Sequence, residues 1–169
     1  MGSLQLFDIL SVLLIQQAEV IGNAPDWSFN PDFLFKILLS ALSGLLIGLE
    51  REFKGKDAGL KTNMLVSLGA CVFILLSIKF FGDEFVDKTR VLSQVIIGIG
   101  FLGGGVILKK NDTIHGLTTA ATVWCSAAAG CIAAFYLITD LALFTGLVVC
   151  INIVFGLVDK RVGNRKSND

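Results

Sequence analysis

Charge and histidine are scarce in this chain of 169 residues. Only 17% are Asp, Glu, Lys or Arg, against roughly a quarter in an average soluble domain, and a single histidine, His115, is present. The shortage of charge excludes a soluble helical bundle, whose wet faces carry charges every third or fourth residue. One histidine, with four cysteines at spacings foreign to zinc sites, leaves no metal-ligand pattern. Cys71, Cys125, Cys131 and Cys150 all fall in apolar runs and read as small hydrophobes. Net charge is zero, from 14 basic and 14 acidic residues, so no positive field points to nucleic acid. Both prolines, Pro25 and Pro31, sit in one break between Asn23 and Asp32. No nucleophile, base and orienting group stand together, and an enzyme is not expected.

Apolar residues are abundant: 54% hydrophobic, with a mean hydropathy of +0.76. They gather into five runs, 33–49, 62–81, 91–108, 117–138 and 141–158. Each is roughly 17–22 residues long, enough as helix to match a hydrocarbon core of about 30 Å. Lys36 and Lys79 are the only charges inside these limits, each near an end where a long side chain reaches the interface. The expected fold is all-α, a polytopic membrane bundle of about five transmembrane helices (33–158), covered by the lipid bilayer. Residues 1–32 form an N-terminal extension. Within it, 3–21 reads as an extra interfacial or peripheral helix, with a sixth span as the alternative. Residues 159–169 read as a short basic tail.

Ten basic residues flank one side of the spans and four the other. The positive-inside rule then places the N-terminus outside and the C-terminus in the cytoplasm.

An internal repeat appears at an offset of 57. Gly48, Gly59, Leu60, Thr62, Val66 and Ala70 fall on Gly105, Gly116, Leu117, Thr119, Val123 and Ala127. Each copy covers a span end, a connection and the next span start, so the two helical hairpins are parallel. Thr62 and Thr119 are suited to cap the helices that begin there, and the converging helix ends suggest a polar or ion-related site.

Five glycines fall between Gly98 and Gly105: Gly98, Gly100, Gly103, Gly104 and Gly105. The formal G-x-G-x-x-G among them lacks the strand and ribose-binding acid of a dinucleotide site. Gly44 with Gly48, and Gly100 with Gly104, read as small-residue faces for close helix packing, toward a second copy or another membrane protein. A thinned or locally broken third span lining a cavity is the other reading. Glu50 follows an apolar run directly and needs a partner: Arg51, Lys61 or a bound cation such as magnesium. Glu52, Lys54 and Lys56 read as a solvated loop, while Asp57 stands with Glu50 and Arg51 among the candidate functional residues. Gln94 and Asn152 read as polar glue between helices, and Trp124 as packing.

Four blocks together carry a family resemblance: Gly44 to Glu52 (GLLIGLERE), Ala58 to Asn63 (AGLKTN), Gly98 to Ile107 (GIGFLGGGVI) and Gly116 to Trp124 (GLTTAATVW). In this order and spacing they resemble the MgtC/SapB family of bacterial membrane proteins. The resemblance implies a cytoplasmic (inner) membrane protein of about five spans. It also implies a link to growth at low magnesium and, in pathogens, to survival in host cells. Two roles are implied as alternatives: an ion or small-solute pathway, or a regulator binding another membrane complex such as the F-type ATP synthase. The family pattern falls on Glu50, Arg51, Gly59, Leu60, Thr62, Gln94, Gly98, Gly100, Phe101, Gly103, Gly105, Gly116, Leu117, Thr119 and Trp124. Lys61 stands where the family usually has arginine, and the soluble domain that many members append is not expected here.

Overall fold

Each helix of the polypeptide coincides with one of the apolar runs. We describe residues 30–80 and 89–166 in a computed structural model. Helix α1 (Pro31–Phe53) starts at Asn30, whose side chain accepts from the amides of Asp32 (2.9 Å) and Phe33 (3.4 Å), with Pro31 in the first turn. Asp32 pairs with Lys36 at 2.9 Å. Replacing Asn30 with alanine is expected to lower stability by about 1 kcal/mol, seen as a lower thermal midpoint with unchanged helix content.

The end of α1 is a Schellman turn. Gly55, at φ +60°, donates to Glu52 O and Lys56 donates to Arg51 O, at 3.0 and 3.1 Å. Helix α2 (Leu60–Phe80) runs back, and α3 (Thr89–Val106) and α4 (Leu117–Ala134) form the second hairpin. Helix α5 (Ile138–Lys166) closes the fold and carries the expected tail on as helix to Lys166. The starts of α1 and α3 differ by 58 residues and those of α2 and α4 by 57, so the helices begin where the repeat places them.

The helices α2 and α4 occupy the middle. Helix α1 packs on α2, α4 and α5, while α3 leans on α4 and only lightly on α2. Small residues make up half or more of the core, Ala70 and Cys71 from α2 with Ala127, Ala129, Cys131, Ala133 and Ala134 from α4, around Ile47, Ile74, Leu75, Leu141 and Val148. Large apolar side chains point outward, among them Leu38, Leu42, Phe73, Ile97, Phe101, Leu143 and Phe155. Small residues inside and oil outside is the arrangement of a bundle solvated by lipid.

Four helical stretches, Pro31–Phe53, Leu60–Ile78, Leu117–Ala134 and Ile138–Leu157, are long and apolar enough to cross a membrane. The apolar part of α3, Arg90–Val106, is shorter, about 25 Å at 1.5 Å per residue. It is thin but unbroken, remaining α-helical through all five glycines.

One departure from the all-α expectation lies between α3 and α4. Strand β1 (Leu108–Lys110) pairs antiparallel with β2 (Thr113–His115), Lys109 opposite Ile114. Asn111 and Asp112, at φ 46° and 60°, make the two-residue turn that such a hairpin needs. The extra helix expected over 3–21 lies outside the described residues.

Candidate functional site

Three consecutive side chains at the end of α1 reach three different helices. Glu50 is 8% exposed and forms an ion pair with Lys54, one turn on. The Lys54 ammonium also donates to Asn152 O of α5 at 2.8 Å. Arg51 is 4% exposed, and its Nη2 donates to Thr119 Oγ1 of α4 at 2.7 Å. Glu52 Oε2 accepts from Leu60 N, the first amide of α2, at 3.0 Å. Gly59 makes room for that carboxylate, because a Cβ there would strike it.

This arrangement corrects several expectations. Lys54, not Arg51 or Lys61, meets Glu50; the i,i+4 spacing on a helix that runs on to Phe53 puts it there. Glu52 and Lys54 are structural links rather than members of a solvated loop. Thr62 is exposed, and the cap of α2 comes from Glu52. Thr119 does not cap α4 either: its hydroxyl is engaged by Arg51, and α4 begins at Gly116 without a side-chain cap. Gly116 is obligatory there, with φ +88° and the Val106 carbonyl packed against the place a Cβ would occupy.

Two buried polar atoms of this cluster, Glu50 Oε2 and Arg51 Nε, have no hydrogen-bond partner among the described residues, and neither does Asn152 Nδ2. Deeper in, the polar side chains satisfy one another. Asn63 donates to Ala58 O and Gly59 O (2.9 and 2.8 Å) and accepts from Ser126 Oγ (2.7 Å), joining α2 to α4. Ser40 and Ser67 join α1 to α2, and Ser43 and Thr145 join α1 to α5. Asn63 was not singled out in the sequence; a lone amide one turn into an apolar run was its signal.

The remaining candidates are placed as follows. Gly44 and Gly48 face α2, where a Cβ would lie 2.6 Å from Asn63 O and 2.7 Å from Leu60 Cα. Asp57 is exposed in the turn. Gly103 packs toward Ala120, whereas at Gly98, Gly100, Gly104 and Gly105 no atom of the described residues lies within 4 Å of where a Cβ would stand. Gln94 and Gly98 line a groove of about 610 Å³ between α2 and α3. Trp124, half exposed, lines one of about 270 Å³ between α3 and α4. A third groove, about 650 Å³, runs between α1 and α5 with Glu50 and Lys54 among its lining residues. Glu50, Arg51, Gly59 and Thr119 are thus brought to one end of the bundle, and Gly100, Gly104 and Gly105 of α3 are left exposed. Among the described residues, no three of His, Cys, Asp and Glu cluster as metal ligands.

Against known proteins, residues 37–161 match the model of the MgtC family. Protein MgtC of Brucella suis is 46% identical over 111 residues, 66% of this chain and 46% of that protein. An uncharacterized protein of Synechocystis sp. is 41% identical over 120 residues, 71% of this chain and 50% of its own length. Protein MgtC of Salmonella typhimurium is 38% identical over 130 residues, 77% and 55% of the two chains. The chain spans about half the length of the curated relatives it matches. No solved structure matches it. A family match covering most of the chain, on the same segments that build the bundle, settles the kinship: the chain belongs to the MgtC family.

Proposed function

We propose that this chain is a bacterial cytoplasmic-membrane protein serving magnesium-related homeostasis, and that it works by associating through α3 with another membrane helix. Its N-terminus lies outside and its C-terminus in the cytoplasm, as the ten-to-four basic asymmetry favours. The observation that carries the reading is the outer face of α3. Gly100 and Gly104, one turn apart, have nothing above them among the described residues, and the neighbouring Ile97 and Phe101 are exposed at 66% and 83%. Glycines that pack against nothing within the protomer cost helix stability, and close approach of a second helix offsets that cost. The occupant is a second copy or a partner complex of the ATP-synthase kind.

Gly100→Leu and Gly104→Leu should therefore abolish self-association or partner co-purification without lowering the protomer's thermal midpoint. Chemical crosslinking in native membranes reads the first and a melt in detergent the second. Unchanged oligomer size and co-purification would sink the reading.

A second reading, a cation or small-solute pathway, draws on Glu50, whose Oε2 is buried without a hydrogen bond and whose side chain borders the α1–α5 groove. Proteoliposomes that move no magnesium, with Glu50→Gln behaving as wild type, would dispose of it.

A further inference from the structure

The two halves of the chain solve the same problem differently. In the first half, the amide that opens α2 is met by a carboxylate, Glu52 Oε2 on Leu60 N. At the 57-residue offset the corresponding positions are Lys109 and Leu117, so the second half has a lysine where the first has its capping acid. Helix α4 begins at Gly116 without a side-chain cap, and its first backbone bond is made by Ala120 N to Gly116 O. The amides of Leu117, Thr118 and Thr119 are left without an acceptor among the described residues, at the positive end of an 18-residue helix.

A second, independent group is aimed at that turn. Arg51 is 96% buried, being 4% exposed, and reaches Thr119 with Nη2 while its Nε has no acceptor. Among the described residues no carboxylate forms a salt bridge with it. Glu50 is held by Lys54 and Glu52 by Leu60, while Asp57 is exposed in the turn before Ala58. Because Thr119 Oγ1 accepts from Arg51, its own proton is free to donate. A buried guanidinium beside a helix N-terminus puts positive charge on positive charge; the nearby carboxylates of Glu50 and Asp57 offset part of that cost, and an anion joining the two would offset more of it. Leu117 and Thr118 are exposed, so the turn is open to the membrane surface. The Val106 carbonyl closes the Gly116 side.

We infer that Arg51, Thr119 and the first amides of α4 form a binding site for a phosphate-type oxyanion, taking the place that Glu52 fills in the first half. The donor set suits a tetrahedral anion: a fixed guanidinium, a hydroxyl and convergent backbone N–H groups. Such a group is carried by an anionic phospholipid headgroup or by soluble phosphate.

Two titrations separate these sources. The protein in phosphatidylcholine nanodiscs is titrated with inorganic phosphate, and in a second series phosphatidylglycerol replaces part of the phosphatidylcholine; the thermal midpoint is read in both. Saturable stabilisation by inorganic phosphate assigns a soluble ion, and stabilisation by phosphatidylglycerol alone assigns a headgroup. Arg51→Gln and Thr119→Val should each raise the half-saturating concentration at least tenfold. Thr119→Val exchanges one hydroxyl for a methyl, so a folded variant is available even if Arg51→Gln does not fold. The inference is overturned if neither probe moves the wild-type midpoint, or if a folded variant responds as wild type does.

Discussion

Replacing Gly130 with alanine is expected to destabilise the bundle strongly. Gly130 of α4 lies directly on α2: an added Cβ would overlap the Ser67 carbonyl oxygen and stand 2.8 Å from its carbon and 3.1 Å from Ser67 Cα. All three are backbone atoms, so no rotamer change relieves the clash and the two central helices must separate. Overpacking in a core costs about 1–3 kcal/mol even where side chains can yield; with backbone as the obstacle the cost should reach at least about 3 kcal/mol. The control is Gly69→Ala on α2, where a Cβ meets nothing and helix propensity should add about 0.5–1 kcal/mol of stability. Denaturant midpoints in detergent check both. Equal midpoints for the two variants would mean that α2 and α4 are not in backbone contact.

Lys54 carries the second large effect. Its ammonium pairs with the buried Glu50, donates to Asn152 O, and fits because Gly156 has no side chain in its way. Lys54→Met leaves the Glu50 carboxylate buried and uncompensated. Breaking a fully buried pair costs about 3–5 kcal/mol; the Lys54 side chain is 22% exposed and the Glu50 side chain 7%, so about 2–3 kcal/mol is expected after discounting for solvent. Glu50→Gln with Lys54→Met should recover much of the loss, giving a coupling of at least about 1 kcal/mol in a double-mutant cycle. Additive losses would show that the two charges do not meet in the folded protein.

The sequence discloses the helices well, and for one reason: lipid demands long runs without charge, and such runs are visible. The start at Leu117 was legible from Gly116-Leu117, whereas the second run was read from 62, two residues inside the helix that begins at Leu60. The site was harder to see. Arg51 and Thr119 are separated by 68 positions, and Glu52 meets Leu60 eight residues on, only because Gly55 reverses the chain; no periodicity encodes either meeting. Gly130 was hidden among alanines, where a glycine pressed against backbone looks like one more small residue. The hairpin could have been read from Asn111-Asp112, two residues that tolerate positive φ.

The last turn of α1 has one more consequence. Successive residues on a helix are displaced by about 100°, so Glu50, Arg51 and Glu52 project in three directions around the axis. Their attachments, through Lys54 to α5, to α4 and to α2, therefore surround it like guy ropes around a mast. Turning α1 about its own axis would slacken one tether and tension another, and the four helices α1, α2, α4 and α5 must move as one block. Among the described residues no side-chain hydrogen bond or ion pair ties α3 to another helix, so α3, held to α4 by packing, is the helix freest to shift within the membrane.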